Sequence, residues 1–157
     1  MINKDLFKLS LVIPCFNEKQ TVIKIIEEVR KSIKNNNIFK YEIIIVDDFS
    51  SDGTTELLKN IENDNDIKIL YHSVNSGKGA AIQTALKHIT GDILIIQDAD
   101  LEYDPSDYGK LLLPFFETNA DVVYGSRFIG GGKYVRIHFF WHYLANKILT
   151  FIFNLFT

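Results

Sequence analysis

Two aspartates separated by one residue follow a fully apolar stretch of the sequence. Ile93–Ile96 is a run of aliphatic residues, and Asp98 and Asp100 come just after it. Such a run is typical of a strand that is buried on both faces of a parallel sheet. Because side chains alternate along an extended chain, the two carboxylates can point the same way, although an isolated Asp-x-Asp is also common in solvated turns. Paired carboxylates suit Mg²⁺ or Mn²⁺, so a divalent metal site is expected here.

Two further aspartates, Asp47 and Asp48, follow a second aliphatic run at residues 41–46. In open α/β sheets the carboxyl ends of the strands line one edge, and ligands bind there. We therefore expect these carboxylates to lie near Asp98 and Asp100. Asp48 is a candidate to accept a hydrogen bond from the ring N–H of uracil or guanine. The alternative role for this pair, and for Asp47 above all, is to cap the next helix.

A short glycine-bearing motif, Gly77-Lys78-Gly79, stands where a third helix is expected to begin. Free N–H groups and the helix dipole favour anions at such a position, and Lys78 can meet a phosphate as a mobile charge. A solvated lysine is the alternative interpretation. The motif lacks the Walker A spacing, and no Gly-x-Gly-x-x-Gly follows the first strand, so a dinucleotide cofactor is not expected.

These motifs need a scaffold in which strands and helices alternate. Aliphatic runs predict five strands, at residues 9–13, 41–46, 67–71, 93–96 and 120–125. Helices are predicted at about 18–34 and after the turns at 50–54, 77–79 and 104–105. Asn17 is expected to cap the first helix and Gly91 to end the third. The alternation predicts an α/β fold with a mostly parallel central sheet that helices cover on both faces.

Composition narrows the class of protein. With 157 residues, 46% hydrophobic and 24% charged, the chain is long enough for one globular domain. Its net charge of −3 gives no electrostatic footprint for nucleic acid, so no nucleic-acid partner is expected. Cys15 is the single cysteine, which excludes an internal disulfide and fits a buried, inert thiol in a reducing compartment. The N-terminus shows no secretory signal.

The C-terminal segment, residues 137–157, is amphipathic when it is drawn as a helix. Its polar side carries His138, His142, Asn146, Thr150 and Asn154, and aromatic and aliphatic residues fill the other side. Because Asn146 and Lys147 would stand at the middle of a spanning helix, a helix in the membrane interface is expected. Packing against a further part of a longer protein or a second subunit is the alternative, and a homo-oligomer stays open. We therefore divide the chain into a domain, 1–136, and this segment.

Five motifs stand in order along the chain, at Pro14–Glu18, Val46–Thr54, Asn75–Gly79, Gln97–Asp100 and Gly125–Arg127. Together they resemble the family 2 glycosyltransferases of the GT-A fold. They are most similar to the polyprenyl-phosphate (dolichyl-phosphate) mannosyl- and glucosyltransferases. The resemblance implies a Rossmann-like three-layer sandwich that serves as the catalytic domain and binds a nucleotide sugar. Phe49 departs from the family pattern, which usually has glycine at this position.

The resemblance also implies roles for individual residues. A nucleotide pocket would be built from Pro14, Phe16, Glu18, Val46 and Asp48. Asp98 and Asp100 would hold the metal, and Ala99 would lie against the ribose and diphosphate. Glu102 stands where the family often has a glutamine near the metal. Arg127 would face phosphate as a third catalytic residue.

The implied reaction transfers a hexose from UDP-glucose or GDP-mannose to a polyprenyl phosphate, dolichyl or undecaprenyl. Mg²⁺ or Mn²⁺ would neutralise the leaving diphosphate, aided by Lys78 or Arg127. A lipid phosphate is already anionic and needs no strong general base, so in-line attack would invert the anomeric centre. Arg136 can bind the acceptor phosphate or be a plain surface residue.

Two other functions stay open. The first is a family 2 glycosyltransferase that acts on a soluble glycan or a cell-surface polysaccharide, which would need a carboxylate base. The second is a sugar-nucleotide-binding domain without catalysis. The lipid acceptor, by contrast, implies a membrane surface as partner and a peripheral location at the cytoplasmic face of the membrane.

Overall fold

The computed structural model of the chain describes residues 7–125. Strands and helices alternate along this range. The elements are β1 (Lys8–Cys15), α1 (Val22–Asn35), β2 (Lys40–Asp47), α2 (Thr54–Lys59), β3 (Ile67–Tyr71), α3 (Lys78–Leu86), β4 (Ile93–Ile96) and α4 (Tyr108–Glu117). A single 3₁₀ turn, Pro105–Asp107, leads directly into α4. The predicted boundary after residue 136 and the whole segment 137–157 lie outside the described residues.

The four strands form one parallel sheet in the order β3-β2-β1-β4. Leu11 on β1 is in register with Ile43 on β2 and with Ile95 on β4. Since all strands run the same way, their carboxyl ends share one edge, which we call the carboxyl edge. The opposite edge, at the strand starts, is called the amino edge. The predicted α/β fold with a parallel sheet is confirmed.

Helices cover both faces of this sheet. On one face, α1 presents Val22, Ile25, Ile26, Val29 and Ile33 to the strands, and α4 adds Leu112. On the other face, α3 packs Ala81 and Ala85 against Val12, Ile44 and Val46. The small alanines let α3 approach the sheet closely, and full burial of each branched aliphatic side chain contributes about 2 kcal/mol. The result is the predicted three-layer sandwich.

The position of β4 in the sheet differs from the prediction. Within residues 7–125, β4 pairs only with β1, so it is an edge strand, and Ile96 is 45% exposed. The expectation that 93–96 is buried on both faces is therefore wrong. The strand predicted at 120–125 is also wrong, because those residues form no strand in the structure. An aliphatic run indicates that a segment is buried, but it does not indicate where a strand lies in the sheet.

Two helix boundaries also differ from the prediction. The first helix begins at Val22 with Thr21 at the N-cap, and Asn17 instead adopts a left-handed φ of +56° in the preceding loop. The third helix ends at Leu86, before Gly91. A Cβ at Gly91 would lie 2.5 Å from Ser10 Oγ and 2.7 Å from the Lys8 carbonyl oxygen. Gly91 is thus needed for close approach to β1, where any larger residue would collide.

The predicted start of the fourth helix is confirmed. Asp104 accepts a hydrogen bond from the backbone N–H of Ser106 at 2.8 Å, and Pro105 follows as the first residue of the 3₁₀ turn. Proline suits this position because its missing N–H would have no helical partner. Among the described residues, no helix combines the length and apolarity that crossing a membrane requires.

Candidate active site

A cavity of about 190 Å³ opens at the carboxyl edge of the sheet. Its walls come from the loops after β1, β2 and β4 and from the first turns of α3. The lining residues are Pro14, Cys15, Phe16, Glu18, Asp48, Lys78, Ala81, Asp98, Ala99 and Asp100. This volume is below the roughly 300–1,000 Å³ that enclose a drug-sized ligand. A sugar nucleotide seated here would therefore extend beyond the cavity.

Asp98 and Asp100 both line this cavity, as their alternation after β4 predicts. The Nζ of Lys78 lies 2.5 Å from Asp98 Oδ1, so the lysine neutralises one carboxylate of the pair. Asp100 Oδ1 accepts a hydrogen bond from the backbone N–H of Glu102 at 2.9 Å. The side chain of Lys78 is 57% exposed, and it can therefore leave Asp98 at little cost when another cation or an anion arrives.

The donor chemistry of this pair fits Mg²⁺ or Mn²⁺, which prefer carboxylate oxygens. In the described part of the chain, no group of three or more His, Cys, Asp or Glu side chains is placed to hold a metal ion. A cation on Asp98 and Asp100 would thus take its other ligands from phosphate and water. Glu102 is exposed and follows the pair, but it is not a lining residue of the cavity.

A buried glutamine fixes the turn that carries the two aspartates. Gln97 is 2% exposed, and its Nε2 donates to the carbonyl oxygens of Asp98 at 3.1 Å and Tyr103 at 3.0 Å. Its Oε1 accepts a hydrogen bond from the hydroxyl of Tyr108 at 2.8 Å. All side-chain polar atoms of Gln97 that can bond are therefore engaged, and the turn is tied to α4. Buried amides of this kind hold one backbone geometry because any other leaves polar groups unpaired.

Asp48 lies on the same cavity, with only 3% of its side chain exposed. Its Oδ1 accepts hydrogen bonds from the backbone N–H of Ser76 at 2.9 Å and from His72 Nδ1 at 2.7 Å. Its Oδ2 accepts from the backbone N–H of Gly77 at 2.6 Å. Burial opposes ionisation, but these donors outweigh it and hold the pKa of Asp48 below its usual range. The carboxylate is therefore ionised, and it anchors the loop that leads into α3.

Its neighbour Asp47 has the local role that was the alternative for this pair. Asp47 accepts from the backbone N–H of Ser50 at 3.1 Å and from the Thr55 hydroxyl at 2.5 Å. Both partners belong to the turn before α2 and its first residues. Asp47 therefore fixes the start of α2 and is not a lining residue of the cavity.

The loop after β1 supplies the remaining wall. Phe16 is 46% exposed and Pro14 is half-buried, so both present apolar surface to the cavity. The Glu18 backbone N–H donates to the Thr54 hydroxyl, and its carboxylate accepts from Thr21. Burial raises the pKa of the Cys15 thiol far above its usual range, in agreement with an inert thiol.

Some predicted site residues lie elsewhere or outside the described range. Val46 is fully buried and packs against α3, so its side chain belongs to the core and not to the cavity wall. Arg127 and Arg136 lie outside the described residues, as do the histidines of the C-terminal segment.

Sequence reasoning missed His72 and Gln97. Each stands within one residue of a strand end, β3 for His72 and β4 for Gln97, and each holds a predicted site residue in place. The only signal was that position, since a polar residue directly after a parallel strand faces the ligand edge of the sheet. The partners of His72, Asp48 and Thr84, are 24 and 12 positions away, so no local pattern reveals them. Those of Gln97 are within 11 positions, but a glutamine has no spacing rule that identifies them.

Comparisons with known proteins bear on this site. The family model described as "Glycosyl transferase family 2" matches residues 10–156. A dolichol-phosphate mannosyltransferase of Pyrococcus furiosus is 29% identical over 80% of this chain and 35% of its own length. An undecaprenyl-phosphate 4-deoxy-4-formamido-L-arabinose transferase of Yersinia pestis is 36% identical over 71% of this chain and 34% of its own length. The chain thus spans about a third of the length of these curated relatives.

Solved structures share the fold. A mannosyltransferase of Pyrobaculum calidifontis in complex with GDP-Man and Mn²⁺ is 27% identical, with a TM-score of 0.54 over 63% of this chain and 29% of that one. Mannosyl-3-phosphoglycerate synthase of Rubrobacter xylanophilus is 26% identical, with a TM-score of 0.59 over 71% of this chain and 37% of that one. These neighbours agree with the GT-A fold expected from the sequence motifs.

Proposed function

The chain belongs to glycosyltransferase family 2, and we propose that it moves a hexose from a nucleoside-diphosphate sugar to a polyprenyl phosphate with inversion at the anomeric carbon. The observation that carries this proposal is the shared cavity. Asp48, Lys78, Asp98 and Asp100 all line it, so a base-reading carboxylate, a cation for phosphate and a metal-type carboxylate pair face one ligand space.

Each part of the donor has a partner in this arrangement. Asp98 and Asp100 would hold Mg²⁺ or Mn²⁺, which when bound neutralises the leaving diphosphate. Lys78 pairs with Asp98 and would turn to a diphosphate oxygen as the donor enters. Ala99, buried between the two aspartates, would lie against the ribose and diphosphate. Glu102 is proposed to lie near the metal, and Arg127 is proposed to contact phosphate.

The rest of the pocket supports binding and orientation of the base. Asp48 would accept an N–H bond from the base, and Phe16 and Pro14 offer the apolar surface on which a flat ring can rest. Glu18 completes this wall, with its carboxylate already bonded to Thr21. These side chains come from loops that the parallel strands bring to a single edge, so no rearrangement of the sheet is needed to form the site.

The acceptor is proposed from its chemistry and from the names of relatives. Two curated relatives are named for dolichol phosphate and undecaprenyl phosphate. A phosphate oxygen attacks as an anion, so it needs no strong base. Each carboxylate that lines the cavity already has a partner. Asp98 pairs with Lys78, Asp100 accepts from the Glu102 N–H, and Asp48 and Glu18 accept three hydrogen bonds and one. An anionic acceptor is therefore favoured over a glycan hydroxyl.

A lipid acceptor places the reaction at a membrane surface. The amphipathic segment 137–157 is proposed to lie in the interface at the cytoplasmic face, so that the donor site stays in water. A homo-oligomer stays open.

A thermal-shift screen tests the donor site. We expect UDP-glucose or GDP-mannose to raise the melting temperature of the chain in Mn²⁺ and much less in chelator, because only a ligand of the native state stabilises it by mass action. Asp98→Asn and Asp100→Asn should abolish the Mn²⁺-dependent part while the variants stay folded. Asp107→Asn is the matched control, since Asp107 is exposed, pairs with Lys110 and does not line the cavity.

Binding that is equal in Mn²⁺ and chelator contradicts the metal role of the two aspartates. A second arm adds polyprenyl phosphate in detergent, or a soluble glycan, to the full-length protein with labelled donor. Sugar transfer to the lipid alone is expected. Transfer to the glycan alone would favour a soluble acceptor, and binding without transfer to either would favour a non-catalytic domain.

A further inference from the structure

The hydrogen bonds that Asp48 already accepts limit how many more it can accept from a nucleobase. An ionised carboxylate offers about four lone-pair positions, two on each oxygen. Oδ1 already accepts from Ser76 and His72, so both of its positions are filled. Oδ2 accepts only from Gly77, which leaves one acceptor position. Asp48 can thus receive one further N–H and not a parallel pair.

The nucleobases differ in the number of N–H donors that they present along one edge. Guanine presents a ring N–H beside an exocyclic amino group, and a carboxylate matches both only when each oxygen has a free position. Uracil presents one ring N–H between two carbonyl groups. Cytosine and adenine have no ring N–H on the pairing edge. A carboxylate with a single free position on one oxygen suits uracil.

His72 keeps one acceptor position on Oδ1 of Asp48 occupied. Since an ionised carboxylate is only an acceptor, the imidazole Nδ1 must donate to it. The other ring nitrogen, Nε2, lies 2.9 Å from the Thr84 hydroxyl on α3, and the His72 backbone N–H donates to the Asp47 carbonyl oxygen. The side chain of His72 is 15% exposed. The ring is therefore fixed from two sides and cannot easily turn away from Asp48.

We propose that this site takes a uridine diphosphate sugar in preference to a guanosine diphosphate sugar, and that His72 is the positioning residue that sets the preference by occupying Oδ1 of Asp48. The proposal rests on the donor-binding function proposed above. The proposed preference differs from the donor of one solved neighbour, which is a complex with GDP-Man. His72 contacts Asp48 and is not a lining residue of the cavity, so it would act on a base through Asp48.

The experiment compares UDP and GDP binding to the full chain by calorimetry in Mn²⁺. The unaltered chain is expected to bind UDP about tenfold or more tightly than GDP, as one unmatched hydrogen bond costs roughly that factor. His72→Ala removes the donor together with the ring, so one acceptor position on Oδ1 becomes open to a base. The GDP dissociation constant divided by the UDP dissociation constant should fall by about threefold or more in this variant.

His88→Ala is the matched control, because it removes a histidine that contacts Lys68 and does not line the cavity. It should keep the preference for UDP. Melting temperatures without nucleotide separate folding defects from altered selectivity, and His72→Asn, which retains a donor, should restore part of the preference. GDP binding equal to or tighter than UDP binding overturns the inference alone. A ratio unchanged in His72→Ala overturns the role of His72. Failure to bind either nucleotide overturns the proposed function and the inference with it.

Discussion

Phe49 adopts a left-handed backbone conformation, with φ of +66°, directly after Asp47, which ends β2, and Asp48. Glycine is the residue that adopts this region without strain, which accounts for the glycine that the resembled family usually has here. Phe49 is 55% exposed, so packing of its side chain compensates for little of the strain. The departure from the family pattern is therefore a local cost in stability, next to the proposed base-reading Asp48.

Replacing this residue tests the strain. Phe49→Gly is expected to raise the free energy of unfolding by up to about 1 kcal/mol, because the left-handed conformation costs an L-residue roughly 1–2 kcal/mol and glycine recovers most of it. Urea unfolding measures the change. Phe49→Ala is the control, since it removes the same ring but keeps the strained Cβ. A glycine variant less stable than the unaltered chain would mean that contacts of the ring outweigh the strain.

At the scale of elements, the turn after β4 depends on a helix that contributes no lining residue to the cavity. Tyr108 opens α4 and is 2% exposed, and its hydroxyl satisfies the buried Oε1 of Gln97. Gln97 in turn holds the backbone of Asp98 and of Tyr103. The direction of the acidic pair is therefore set partly from the opposite side of the sandwich.

Tyr108→Phe removes one hydroxyl from this chain of contacts. We expect the free energy of unfolding to fall by about 1–3 kcal/mol, because a buried amide oxygen is left unpaired. We also expect Mn²⁺-dependent nucleotide binding to weaken several-fold, because the turn that carries Asp98 loosens. Tyr41→Phe is the matched control: it loses a hydroxyl bond to Asp66, and neither residue lines the cavity. Equal nucleotide binding in both variants would reduce Gln97 to a purely structural role.

The elements also show how far local patterns reach. The aliphatic runs of β1 and β2 and the helical spacing of apolar residues in α1 predicted these elements. Such patterns are visible within a short stretch of sequence. The exposure of Ile96 on β4 escaped prediction because it depends on strand order. In the site, alternation after a strand placed Asp98 and Asp100 on one cavity. The contacts of Asp48 with His72 and Gly77 span 24 and 29 positions, so no local pattern encodes them.

At the scale of the molecule, the two edges of the sheet have different roles. The carboxyl edge gathers the acidic side chains of the proposed site. The amino edge is closed by Glu42, whose carboxylate accepts hydrogen bonds from the Ser10 hydroxyl at 2.6 Å and from the Lys8 ammonium at 2.9 Å. The Thr90 backbone N–H and hydroxyl donate to it as well. Glu42 thereby joins β1, β2 and the loop before β4, and its loss should alter stability without altering nucleotide affinity.

The pH dependence of stability measures this contribution. Burial opposes ionisation of Glu42, but bonds from Ser10, Lys8 and Thr90 outweigh it and lower its pKa to about 2. The unfolded chain, with the ordinary pKa near 4.5, therefore binds more protons, so the stabilisation is fully present above that pH and is lost as pH falls toward 2. The shift corresponds to at most about 3 kcal/mol.

Urea unfolding of the unaltered chain and of Glu42→Gln from pH 7 to pH 2 isolates the effect, because the other carboxylates with lowered pKa cancel in the difference. The variant should be less stable by about 1–3 kcal/mol at pH 7, and the gap should close as pH approaches 2. At pH 7 the variant should bind UDP with the same affinity as the unaltered chain, and the same should hold for GDP. A gap that stays constant with pH would show that neutral hydrogen bonds, and not the charge of Glu42, hold the amino edge together. A change in nucleotide affinity would show that the two edges are coupled through β1 and β2.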